Sequence, residues 1–185
     1  MTLDRFNYSE KYNCFWIAPP RTGTRGLCQI LNFLGFHHKT KPLMLIPSFN
    51  FTHELPPPEI VGNSETLISV RNPYGRLFSI YKNFFFLGKK TTFEDYVKNI
   101  FPTHLNHHVF GYFHFKPTYF VRLENQYDDL QKIPFVKKTF KDNQLKLLTS
   151  HSKELDNWEV EYTEEMKDIV FKYLKNQFEM FGYEK

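Results

Sequence analysis

Apolar positions along the chain fall into short unbroken runs, set between stretches where they recur every three or four residues. The first run, residues 14–18 (CFWIA), predicts a buried strand. It stops at Pro19-Pro20 and gives way to Arg21-Thr22-Gly23-Thr24-Arg25-Gly26, a turn of small and basic residues. Leu27, Ile30, Leu31 and Leu34 follow at helical spacing, predicting a helix that ends near Gly35. The clearest strand is residues 66–70, TLISV, which is short, apolar and β-branched. It runs directly into Arg71-Asn72-Pro73, where Asn as N-cap and Pro at the first helical position start a helix with Leu77, Ile80, Tyr81 and Phe84 on its apolar face. A helix over 92–100 carries Glu94 and Asp95 in its first turn; residues 118–121 read as a strand and 125–138 as largely helical. The last helix, from 163 to about 178, opens on the capping pattern Thr163-Glu164-Glu165.

The remaining segments are less regular. Residues 1–13 are polar and lead into the first strand, and 37–42 form a polar connection. Short extended pieces are expected at 43–46 and 49–53, and Pro56-Pro57-Pro58 excludes regular structure there. Residues 101–117 are rich in His and aromatics and fit no single pattern. Strands alternating with helices predict an α/β chain, a mostly parallel central sheet flanked by helices, in one domain over residues 1–185. Ligands of such sheets sit at the carboxyl ends of the strands. Arg21, His53, Arg71 and Arg122 each follow or end an extended run, so all four are expected at that edge.

Composition narrows the chemistry. The formal net charge of +4 suits an anionic ligand but gives no concentrated basic stripe of the kind that grips nucleic acid. Aromatics reach 18%, enough to pack a chain of this length well. Cys14 and Cys28 are too few for a disulfide framework or zinc knuckle and read as reduced core thiols. With no apolar run near ~18 residues and no signal-peptide core at the start, a soluble cytoplasmic protein is expected.

The turn at 19–26 points backbone N–H groups into one concavity at a helix N-terminus, and Thr22 and Thr24 add hydroxyls, so it is suited to an anion such as phosphate. It is not a nucleoside-triphosphatase loop, because the Gly-Lys-Ser/Thr ending is missing and the TLISV strand ends in Arg71 rather than an acidic magnesium ligand. Arg71, Arg76 and Ser79 offer guanidinium and hydroxyl groups for a second phosphate. The plainer reading pairs Arg76 with a carboxylate and lets Ser79 pack.

PPRTGTRGL followed by SVRNPYGRLFSIYKNF resembles the sulfotransferases that use 3′-phosphoadenosine-5′-phosphosulfate (PAPS). YFVRLENQYDDLQKI and the tail YTEEMKDIVFKYLKNQFEMFGYEK add to the likeness, the tail pointing to the carbohydrate-type branch. The resemblance implies a three-layer fold like that of P-loop nucleotide hydrolases. It also implies PAPS as sulfuryl donor, no metal, and an acceptor that is a glycan, a small molecule or a peptide. It places Arg21, Thr22, Gly23, Thr24, Arg25 and Gly26 on the 5′-phosphosulfate, and Arg71 and Ser79 on the 3′-phosphate. Arg21 stands where most members have lysine, and Gln177 where aspartate is common. Phe51-Thr52-His53-Glu54-Leu55-Pro56 is similar to the segment that holds the catalytic histidine of the cytosolic branch, with Glu54 inserted; His53 or Glu54 is the implied base, and Arg21 the cation at the bond that breaks.

A nucleotide kinase of the P-loop type and a silent nucleotide-binding domain are the rival readings. His104, His107, His108 and His114 match no compact zinc spacing and are expected at the surface or around the acceptor pocket. Arg122 and Glu124 either face the cofactor edge or form an ion pair tying strand to helix. The Lys137-Lys138-Thr139-Phe140-Lys141 cluster reads as a solvated helix face, and His151-Ser152-Lys153 as a loop able to close over the nucleotide. Oligomeric state has no signal in the sequence.

Overall fold

A computed structural model of the chain describes residues 3, 6–36, 53–85, 91–104, 116–150 and 158–185. In chain order the elements are β1 (Tyr8–Ser9), β2 (Cys14–Ile17), α1 (Thr24–Phe33), α2 (Pro58–Val61), β3 (Glu65–Val70), α3 (Pro73–Ile80), α4 (Phe93–Asp95), β4 (Tyr119–Arg122), α5 (Gln126–Gln131), α6 (Pro134–Thr139), α7 (Asp142–Thr149) and α8 (Glu164–Phe181). Wide π turns continue α3 through Tyr81–Phe85 and α4 through Tyr96–Ile100. The segments expected at 43–46 and 49–52, residues His107, His108 and His114, and the 151–153 loop lie outside the described residues.

The four strands form one sheet in the order β1-β2-β3-β4. β2, β3 and β4 run parallel, with Ile17 beside Ile68 and Val70 beside Arg122, so the carboxyl ends of all three fall on one edge. All of Cys14–Ile17 is buried, which is why the sequence there is continuously apolar rather than alternating. β1 is antiparallel to β2. It is polar and two residues long, so it has no periodicity to detect; the Asn7 side chain and carbonyl hold it against the backbone of Trp16.

Several boundaries differ from expectation for local reasons. Pro58 sits at the first turn of α2, where its missing N–H is no loss, so the proline run excludes helix only before it. The helical stretch at 125–138 divides at Ile133, which is extended because Pro134 follows. The strand expected at 118–121 is shifted by one residue, and α7 has no counterpart in the sequence reading. The caps at Asn72 and Thr163 fall where the sequence puts them, Asn72 Oδ1 accepting from Tyr74 N–H and Thr163 Oγ1 from Met166 N–H. Thr92, expected as the first residue of its helix, is instead the N-cap, its Oγ1 accepting from Asp95 N–H.

The chain divides into two compact units. The first, Met1–Val70 with Pro117–Lys153, holds the sheet, α1, α2 and α5 to α7. Its core is largely aliphatic, with Leu27, Ile30, Leu31, Leu67, Val121, Leu130 and Leu145 packed around Trp16. The second, Arg71–Lys116 with Glu154–Lys185, holds α3, α4 and α8 around a predominantly aromatic core. There the rings of Tyr74 and Phe178, Phe78 and Phe93, and Phe93 and Tyr162 meet edge to face. No described helix is long and apolar enough to cross a membrane.

Candidate functional site

In the first unit, the connection from β2 to α1 is the turn singled out by the sequence. Two of its residues take the left-handed conformation, Arg21 at φ +67° and Gly23 at φ +76°. For Arg21 that costs about 1 kcal/mol, which the rest of the loop must hold in place. Gly23 is required twice over. A side chain would be strained at its φ, and a Cβ would stand 2.3 Å from Leu123 Cδ1 and 3.2 Å from Gln126 Nε2. Being the N-cap of α1, Gly23 offers no capping side chain, and no acid lies in the first turn. The intrahelical bonds begin with the N–H groups of Gly26 and Leu27 on the Gly23 carbonyl. The first turn thus presents its positive end without an internal anion.

Thr22 has a different task from the one expected of its hydroxyl. It is fully buried, and its Oγ1 donates to the Pro19 carbonyl at 2.7 Å. A hydroxyl has one proton, so the 3.0 Å contact with Ser69 of β3 is a bond donated by Ser69. The side chain therefore closes the loop and ties it to the neighbouring strand, and its one proton is not left over for a ligand. Thr24 is buried at the helix start; Arg21 is half-buried and Arg25 and Gly26 are exposed.

His53 comes to the same edge. Its Nδ1 is hydrogen-bonded to the carbonyl of Ala18, the residue before Pro19. A carbonyl only accepts, so Nδ1 carries the proton, and in the neutral ring Nε2 holds the lone pair, the form a general base needs. His53 and Glu54 are both exposed.

Arg122 serves the scaffold. Its guanidinium makes a two-pronged bond to Asp129 of α5, at 2.8 Å from each nitrogen, and its backbone N–H adds a third at 3.0 Å. Lys132 reaches the same carboxylate at 2.9 Å. Burial pushes the Asp129 carboxyl up, but these hydrogen bonds outweigh it and hold the group below the usual carboxylate range. A strand-to-helix ion pair is present, made with Asp129. It fixes α5, whose first residue, Gln126, lies against Gly23 and Gly26. Nothing in the spacing of the sequence marks Gln126, which reads there as an ordinary helix start.

In the second unit, Arg71 precedes the capped start of α3 and is 8% exposed. The Trp158 indole covers Gly75: a Cβ there would be 2.8 Å from Trp158 Nε1 and 3.3 Å from Arg71 Nε. Arg76 and Ser79 are buried. The charge of Arg76 acts on Tyr96, whose phenol is nevertheless driven up by burial. Ser79 also accepts, through its carbonyl, from Asn83 Nδ2.

The remaining sequence candidates take minor roles. Burial raises the Cys14 thiol, keeping it protonated and unreactive, and both cysteines are free thiols in the interior. His104 is exposed and bonded to the Ile100 carbonyl within its own turn. Lys137 and Lys138 lie exposed on α6, and among the described residues no three His, Cys, Asp or Glu side chains gather to hold a metal. No known protein family, curated protein or solved structure matches this chain.

Proposed function

We propose that the protein is a PAPS-dependent sulfotransferase acting on a hydroxyl or amine. The reading is carried by the β2–α1 turn, where an uncapped helix N-terminus, a glycine that tolerates no Cβ, and a base-competent histidine share one edge of the sheet. Sulfuryl transfer needs such an arrangement. The acceptor oxygen attacks sulfur in line, and the bond from sulfur to the bridging oxygen of the 5′-phosphate breaks. Negative charge then grows on the departing phosphate as the acceptor proton leaves. The backbone N–H groups of the turn and the cations of Arg21 and Arg25 stabilise that charge. Nε2 of His53 takes the proton, with Glu54 the adjacent alternative. The products are a sulfated acceptor and adenosine 3′,5′-bisphosphate.

The 3′-phosphate falls to Arg71 and Ser79 by the family likeness. The same likeness supplies the three-layer P-loop-like architecture and a carbohydrate as the favoured acceptor. Titration calorimetry tests the reading. Adenosine 3′,5′-bisphosphate binds at micromolar concentration without Mg²⁺, and labelled PAPS gives up its sulfate to an acceptor from a glycan and phenol library. Mg²⁺-dependent binding of ATP instead identifies a kinase, and bisphosphate binding without transfer to any acceptor identifies a silent domain.

A further inference from the structure

We propose that the Gln126 carboxamide is a further ligand of the anion held at the N-terminus of α1, donating from Nε2 to a sulfate or phosphate oxygen. The proposal rests on the turn's being an anion site, as the sulfotransferase reading has it, and adds a residue that neither the motif nor the likeness includes.

Three observations converge on Gln126. The residue is 3% exposed, and Nε2 is enclosed with no hydrogen-bond partner among the described residues. A buried amide left in that state is destabilising, and native interiors rarely keep one without a use. The orphaned nitrogen also has a definite address. It lies 3.2 Å from where a Cβ of Gly23 would stand and 4.0 Å from the equivalent point on Gly26. The carboxamide therefore packs against the first turn of α1, at the two positions where glycine leaves out a side chain.

The placement is held firmly. Asp129, one turn along α5, is clamped by Arg122 and Lys132, so the helix cannot easily rotate Gln126 away. Apolar packing against Gly23 comes from Leu123, so the amide is not needed to fill that space. What it adds is a neutral donor beside the backbone N–H groups, and an anion brings the acceptor that this donor lacks. A bond from an amide to a charged oxygen is among the stronger hydrogen bonds.

Inorganic pyrophosphate and adenosine 3′,5′-bisphosphate are titrated into wild type, Gln126→Met and Gln126→Glu, with melting temperatures recorded in the absence of ligand. Methionine keeps the volume and removes the donor; glutamate keeps the shape and adds a negative charge. Gln126→Met binds both ligands about tenfold more weakly than wild type, yet melts at the same temperature or higher because the orphaned donor is gone. Gln126→Glu loses more affinity still. Pyrophosphate affinity within twofold of wild type in Gln126→Met overturns the proposal. Should that variant melt below wild type, Gln126→Glu decides, and unchanged pyrophosphate binding there overturns it equally. If wild type binds pyrophosphate but not the nucleotide, and the variants weaken it, the Gln126 assignment stands and the sulfotransferase reading falls. If wild type binds neither, both fall.

Discussion

Asp129 shows how one buried carboxylate sets the geometry of a site it never touches. With 2% of its side chain exposed and two cations on it, it locks the end of β4 to α5 and thereby places Gln126 beside the turn. Asp129→Asn removes the carboxylate that Arg122 and Lys132 share and lowers stability by about 2–3 kcal/mol at pH 7, measured by urea unfolding. Because the folded carboxyl is held below its ordinary value, the unfolded chain takes up the proton first as pH falls. The stability due to Asp129 is fully present above the ordinary carboxylate value of about pH 4 and declines as pH falls from there through the lowered folded value, so the gap between wild type and variant narrows progressively below pH 4. His53 carries the second residue-scale expectation. With Nδ1 committed to Ala18, Nε2 is its only basic nitrogen. His53→Ala lowers turnover by roughly 10²–10⁴-fold and removes the acid limb of the pH–rate profile, while calorimetric affinity for adenosine 3′,5′-bisphosphate stays near that of wild type. Near-normal turnover would transfer the role to Glu54.

At the scale of elements, α3 depends on a glycine in its interior. Alanine is the better helix former by about 1 kcal/mol. At Gly75, however, its Cβ would stand 2.8 Å from the Trp158 indole, which stacks on Tyr74. Gly75→Ala therefore destabilises the protein by about 1–3 kcal/mol despite its propensity and shifts tryptophan fluorescence as the indole is displaced; unchanged stability and emission would rule out that close packing. The start of α3 was open to reading because its signals are local: Asn72 accepts from a backbone N–H two residues on, and Pro73 needs no donor. The same holds for α1, whose apolar positions lie one turn apart. The break at Ile133 was less visible, since a helical pattern continues across it and only the conformational limit before Pro134 interrupts the backbone.

At the scale of the whole molecule, the two units divide the hydrophobic material by kind. The aliphatic runs build the sheet core of the first, and rings dominate the core of the second. The second unit joins 71–116 to 154–185, segments far apart in the chain. By itself the sequence determined an α/β chain, its strand–turn–helix at 14–33 and the capped helices after Asn72 and Thr163, because period, caps and turn residues act over a few positions. It also marked the turn as an anion candidate, through its glycines and basic residues. Only the tertiary structure decided what those side chains do. Thr22 spends its proton on Pro19 and joins Ser69, Arg122 turns to Asp129, His53 reaches Ala18, and Gln126 comes to rest on Gly23. Most of these contacts join residues far apart in sequence, and even the shorter ones depend on how the chain folds back, so neither spacing nor periodicity registers them. Burial selects them, because a polar group removed from water must find a partner wherever the fold supplies one.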